Sequence, residues 1–89
     1  MSFGFVYVLG SVSGAARRTY VGWCLDLDAR LKQHNSGRGA RSTRGRAWVL
    51  LYAERHPTRN DAMAREWRLK RERRFRADLA ALLPMEETS

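Results

Sequence analysis

Phe3-Gly4-Phe5-Val6-Tyr7-Val8-Leu9 is the stretch that decides the fold. Aliphatic and aromatic side chains occupy both of its alternating faces, as in a strand covered by packing on each side. Gly10-Ser11-Val12-Ser13-Gly14 reads as turn material, and Arg17-Arg18-Thr19-Tyr20-Val21-Gly22-Trp23 follows as a second strand. A hairpin is the economical arrangement of the two. It would set Tyr7 and Tyr20 close together.

Beyond the hairpin, Asp26 or Asp28 can cap a helix over residues 27–35, in which Leu27, Leu31 and His34 fall at i, i+4 and i+7. Gly37 is its natural C-terminal stop. Arg30 and His34 lie one turn apart on this helix, so both side chains can converge on one small ligand. Residues 36–46 (Ser-Gly-Arg-Gly-Ala-Arg-Ser-Thr-Arg-Gly-Arg) form a loop with three glycines, four arginines and no acid. Such a loop can offer backbone N–H groups and guanidinium forks to phosphates. A third strand is expected near residues 47–54, from Ala47-Trp48 through Tyr52-Ala53, with His56-Pro57 ending it. From Thr58 the pattern turns helical. Ala62, Glu66, Leu69 and Arg73 share one face, and Phe75, Leu79, Leu82 and Leu83 continue an apolar stripe. The expectation is one α/β domain over residues 1–84 with the order β-β-α-β-α-α, then a short acidic tail at 85–89.

The chain has 89 residues, room for one domain with a modest core. Lys and Arg total 17 against 9 Asp and Glu, a formal net charge of +8, which favours anionic partners. Nucleic acid leads, and an anionic membrane surface comes second. The stretch from Arg55 to Arg76 alone carries nine basic and three acidic residues. The single Cys24 cannot form an internal disulfide, and no Cys/His cluster has zinc spacing, so a reducing cytoplasm fits best. Met1-Ser2-Phe3-Gly4-Phe5 does not read as a signal peptide, and no apolar run is long enough to span a bilayer.

Tyr7, Tyr20, Arg30, His34 and Glu66 are residue types suited to metal-assisted cleavage of a phosphodiester. Each also has an ordinary reading. A tyrosine in a buried hairpin is usually a core residue with its hydroxyl hydrogen-bonded. Arg30 on an amphipathic helix is usually solvated, and His34 can simply occupy a helix end where the dipole favours a cation. Glu66 says more, because it falls on the inward stripe beside Ala62 and Leu69, where an unpaired carboxylate is costly. Its partner is either Lys70 at i+4 or a divalent cation, and spacing does not choose between them.

Taken together, Phe5-Val6-Tyr7, a turn, Tyr20-Val21-Gly22, Leu27 with Arg30, His34-Asn35-Ser36-Gly37, and Ala62 with Glu66 and Leu69-Lys70 resemble the GIY-YIG endonuclease domain over nearly the whole chain. The run from Gly37 to Arg46 followed by an apolar strand is similar to the small stand-alone bacterial members. Phe5 departs from the family at its first glycine, and Trp23 stands where repair-type members often carry lysine. The polar Asn of the last helix is not matched; Asp78 lies in that vicinity.

The resemblance implies a three-stranded, mainly antiparallel sheet flanked by helices, with a shallow active site on one sheet face. It implies a catalytic set of Tyr7, Tyr20, Arg30, His34 and Glu66, with Glu66 holding Mg²⁺ or Mn²⁺. Tyr20 is the expected base, Tyr7 orients water or phosphate, and His34 serves as proton relay or phosphate ligand. Arg18, Arg38, Arg41, Arg44, Arg46 and Lys70 are the expected nucleic-acid contacts. DNA is expected over RNA, and no recognition module for base edges is present, so shape, ends, branches or a protein partner would supply specificity. The alternative is a basic nucleic-acid-binding module without catalysis, since phosphate neutralisation gives affinity whether or not a bond is cut.

Overall fold

The computed structural model describes residues 3–13 and 16–84. Strands β1 (Gly4–Ser13) and β2 (Ala16–Cys24) precede helix α1 (Leu27–Asn35), a 3-10 turn (Arg41–Thr43), strand β3 (Val49–His56), and helices α2 (Arg59–Leu69) and α3 (Arg73–Ala80). The sheet order is β2-β1-β3, with both pairings antiparallel. This is the expected β-β-α-β-α-α arrangement of a small α/β domain.

The central strand explains the double apolar pattern. Val6 and Val8 pack with Val21, Ala62 and Leu69 on the face that carries α2 and α3. Tyr7 and Leu9 pack with Cys24 and Trp48 on the other face, against Leu27 and Leu31 of α1. Val6, Tyr7, Val8 and Leu9 are all at most 2% exposed, so the strand is covered from both sides. Fully burying each such aliphatic side chain is worth about 1.5–3 kcal/mol, which makes β1 the main hydrophobic anchor of both layers.

The boundaries correct the sequence reading in two places. Gly10–Ser13 is not turn but the end of β1, paired through Ser13 to Ala16; the hairpin is longer than its hydrophobic pattern because backbone pairing continues past the apolar residues. Gly14, the remaining turn residue expected there, lies outside the described residues, as does the acidic tail. The third strand begins at Val49, since Ala47 and Trp48 are irregular and Trp48 is buried as a loop anchor. The helical stretch from Thr58 divides at Lys70–Glu72 into α2 and α3, the two helices expected. Thr58 caps α2 by accepting from Asp61 N at 3.1 Å.

Candidate active site

The register of the hairpin builds the floor of the site. Tyr7 pairs with Gly22, and Leu9 with Tyr20, so both tyrosines project from the face covered by α1. The Tyr7 ring lies across Gly22. A Cβ at that position would stand 2.5 Å from Tyr7 Oη and 2.7 Å from Cζ. Only a residue without a side chain lets the ring cross. The Tyr7 and Tyr20 centroids are 6.3 Å apart.

Helix α1 supplies the next layer. Asp26 caps it, accepting from Ala29 N at 3.1 Å, and the cap sets the helix phase that presents Arg30 and His34 to the tyrosines. His34 is fully buried. Its ring stands 4.9 Å from that of Tyr20, centroid to centroid, and its Nε2 is 2.8 Å from Tyr7 Oη. Arg30 Nε donates to the same Tyr7 oxygen at 3.4 Å, and its Nη1 donates to Gln33 Oε1 at 2.8 Å. Four of the expected site residues are therefore brought together: Tyr7, Tyr20, Arg30 and His34.

On its far side the histidine meets a residue that the sequence did not single out. Nδ1 lies 2.8 Å from Thr43 Oγ1, and the Thr43 hydroxyl donates to Ala40 O at 2.7 Å. Thr43 is fully buried. The surrounding loop is folded onto His34 rather than spread as a cradle. Gly39 lies over the ring so closely that a Cβ there would stand 2.8 Å from His34 Cα. Trp48 Nε1 donates to Thr43 O at 2.7 Å, and the Asn35 side chain clamps the Trp48 backbone, accepting from its N at 2.6 Å and donating to its O at 3.0 Å. No periodicity betrays such contacts. The only clue was an Asn, a Thr and a Trp standing in an otherwise Arg- and Gly-rich connection.

Electrostatics follow from burial. Withdrawal from water, followed by the nearby Arg30 charge, lowers the His34 pKa below its ordinary 6.5 and keeps the ring neutral at pH 7. Burial pushes the Tyr7 phenol up to about 12 against the opposing hydrogen bond from Arg30, so Tyr7 stays protonated. Arg30 is held charged first by its hydrogen bond to Tyr7, with Tyr20 adding to the effect. The half-buried groups at the mouth are Arg30 and Tyr20; Tyr7 and His34 lie behind them.

Glu66 comes from α2, the helix whose Ala62 and Leu69 pack with Val6 and Val8. Its carboxylate is 21% exposed and lies 3.7 Å from Lys70 Nζ, the ordinary partner weighed above. Among the described residues no group of three or more His, Cys, Asp or Glu side chains could hold a metal ion. A lone, partly accessible carboxylate still suits Mg²⁺, which keeps several waters and commonly takes one or two carboxylates plus substrate phosphate.

Arg18, Arg38, Arg41 and Arg44 are exposed. Arg46 differs from the expected phosphate contact: its Nε donates to Ser11 Oγ at 3.1 Å and its guanidinium carbon lies 6.0 Å from the Trp48 ring centroid, so it ties the loop to β1. Lys70 is exposed beside Glu66.

A family model for the GIY-YIG catalytic domain matches residues 3–78. A UPF0213 protein of Streptococcus sanguinis is 42% identical over 71 residues, 79% of this chain and 78% of the relative. A UPF0213 protein of Staphylococcus aureus is 37% identical over 71 residues, 79% and 83% of the two chains. The solution structure of the UPF0213 protein BH0048 from Bacillus halodurans has 34% identity, covers 90% of this chain and 84% of that one, and superposes with a TM-score of 0.48. With a match that takes in both hairpin tyrosines, helix α1 and Glu66, the chain belongs to the GIY-YIG family, and its domain is of nuclease type.

Proposed function

We propose that this domain hydrolyses phosphodiester bonds in nucleic acid, DNA first, with a divalent cation, Mg²⁺ or Mn²⁺, held by Glu66. The observation that carries the reading is the guanidinium of Arg30, beside both phenols and with no carboxylate partner among the described residues, on a chain of net charge +8. A charged, pre-positioned donor at a surface without a neutralising acid is suited to the charge that builds on phosphoryl oxygens.

The chain's own groups then divide the work. Arg30 binds and neutralises the phosphate. Tyr20, the more accessible phenol, serves as base in its phenolate form, its own proton having gone to solvent: the phenolate oxygen takes a proton from the attacking water as the new O–P bond forms and the P–O bond to the leaving group breaks. A phenol acts as a general base only after it has lost its own proton, and the Arg30 guanidinium lies beside the oxygen that would carry the charge. Tyr7 keeps its proton, donates it to neutral His34 and presents its lone pair to Arg30. The cation, when bound, supplies Lewis-acid polarisation of the phosphate and a template for the leaving oxygen. Exposed Arg18, Arg38, Arg41 and Arg44 hold the flanking backbone, independent of sequence. Buried, free Cys24 and the lack of any helix long and apolar enough to cross a membrane among the described residues support a cytoplasmic setting. Targeting to particular structures would come from nucleic-acid shape or a protein partner.

The test is incubation of purified protein with duplex, single-stranded and branched substrates, with and without Mg²⁺ or Mn²⁺, in wild type and Glu66→Gln. Cleavage should require the cation and vanish in the variant, while the unfolding free energy stays within about 0.5 kcal/mol of wild type, because a partly exposed i, i+4 pair contributes little. Binding without cleavage under every condition would favour the non-catalytic binder. A destabilised variant that still cuts would mean that Glu66 serves Lys70 and not a metal.

A further inference from the structure

We infer that Thr43 is a positioning residue of the site: it holds His34 in the Nδ1–H tautomer and thereby sets the direction of every hydrogen bond out to Arg30. This rests on the reading of Arg30 as the phosphate-binding guanidinium. A threonine hydroxyl has one hydrogen, and the Ala40 carbonyl at 2.7 Å can only accept, so that hydrogen is committed. Thr43 Oγ1 therefore faces His34 Nδ1, 2.8 Å away, as an acceptor. A neutral imidazole carries one N–H. It must be on Nδ1, which leaves Nε2 bare to accept from Tyr7 Oη at 2.8 Å. With its hydrogen spent on His34, Tyr7 turns a lone pair to Arg30 Nε. The order runs from Arg30 through Tyr7, His34 and Thr43 to a backbone carbonyl, each group donating to the next.

Inverting any member faces donor with donor or acceptor with acceptor in a buried row. Valine at 43 has nearly the shape of threonine but no oxygen, so Nδ1 loses its acceptor and the ring proton is free to move to Nε2. Tyr7 must then accept from His34, and its hydrogen turns toward the Arg30 N–H. The guanidinium loses its anchor. The scaffold of this switch is the arginine loop itself: Arg41 and Arg44, both exposed, flank Thr43 on the 3-10 turn that Gly39 and Trp48 pin over the histidine. The segment that meets phosphate is thus the segment that sets the histidine proton.

Long-range nitrogen–proton correlation spectra of labelled protein read the tautomer directly, and with two histidines in the chain a His56→Asn variant assigns the rings. Wild type should show His34 as Nδ1–H. Thr43→Val should shift it to a mixture or to Nε2–H and move the Arg30 Nε–H resonance, and Thr43→Ser, which keeps the oxygen, should restore both. If wild type cleaves, Thr43→Val should lose about tenfold in kcat at unchanged KM, the scale of one hydrogen bond. An Nε2–H ring in wild type overturns the inference without recourse to any variant. So does a folded Thr43→Val protein whose tautomer and Arg30 resonance are unchanged. The expected tautomer in a protein that cuts nothing would support the hydrogen-bond chain and overturn the nuclease reading alone.

Discussion

The two faces of the sheet each assemble a tyrosine, a histidine and an arginine, and they do opposite things with them. On the α1 face Tyr7, His34 and Arg30 form a one-way row of donors and acceptors with no carboxylate. On the α2 face Tyr52, His56 and Arg65 converge on Glu54: Arg65 Nε lies 3.0 and 3.1 Å from the two carboxylate oxygens, His56 Nε2 lies 2.9 Å from one, and the Tyr52 hydroxyl donates to the other. Arg65 also reaches Glu72 at 3.0 Å. Burial alone would raise the Glu54 pKa, but the bonds from Arg65, Tyr52 and His56 outweigh it and bring it down to about 2. One acid makes the difference. Where it is present Arg65 is paired and the cluster ties β3 to α2; on the α1 face no carboxylate among the described residues pairs with Arg30, and that is what the proposed phosphate role uses.

The most severe way to break the α1 face is Gly22→Ala. The new methyl meets Tyr7 Oη and Cζ, and the ring can yield only by leaving His34 and Arg30. We expect a loss of about 1–3 kcal/mol, the usual cost of overpacking, together with loss of the Tyr7–His34 bond. A denaturation curve and the His34 ring resonances check both, and the α2 face should be untouched.

Glu54→Gln breaks the other face. Leaving Arg65 with only the more exposed Glu72 should cost about 1–3 kcal/mol, between the exposed and buried limits, without weakening nucleic-acid binding. Acid titration of wild type sharpens the contrast. Glu54 has a depressed folded pKa, so its contribution is complete above about 4.5 and is lost as pH falls toward 2. His34 also has a depressed folded pKa, but it is a base: the unfolded chain takes up the proton first, so stability falls as pH drops below about 6.5. Melting temperature against pH should therefore decline in two stages, the histidine stage first. Glu54→Gln should lose only the second.

The smallest effect belongs to the exposed arginines beside the site. Arg41→Gln or Arg44→Gln should leave stability unchanged and lower the slope of log K against log salt by about one unit per lost phosphate contact, equally for all sequences. A loss confined to one sequence would mean that the loop reads bases.

Periodicity carried most of the fold. The double apolar pattern of residues 3–9, the capped run from Leu27 and the stripe through Ala62 and Leu69 depend on local spacing, and each became the element expected. The pattern also announced Tyr7 and Tyr20 as neighbours, because antiparallel pairing follows from a short connection. It misjudged Gly10–Ser13, where backbone pairing continues without apolar side chains to mark it.

What the sequence by itself determined, then, was the order of elements, the excess of positive charge and the residue types of the site, since these rest on spacing and composition. Tertiary structure alone decided that Thr43, nine residues from His34, orients its ring. It alone decided that Arg46 turns inward to Ser11, and that Glu54 rather than a site acid collects Arg65. Those are matters of which polar groups meet away from water. Hydrogen bonding there is directional and nearly compulsory, but it leaves no period in the chain from which it could be read.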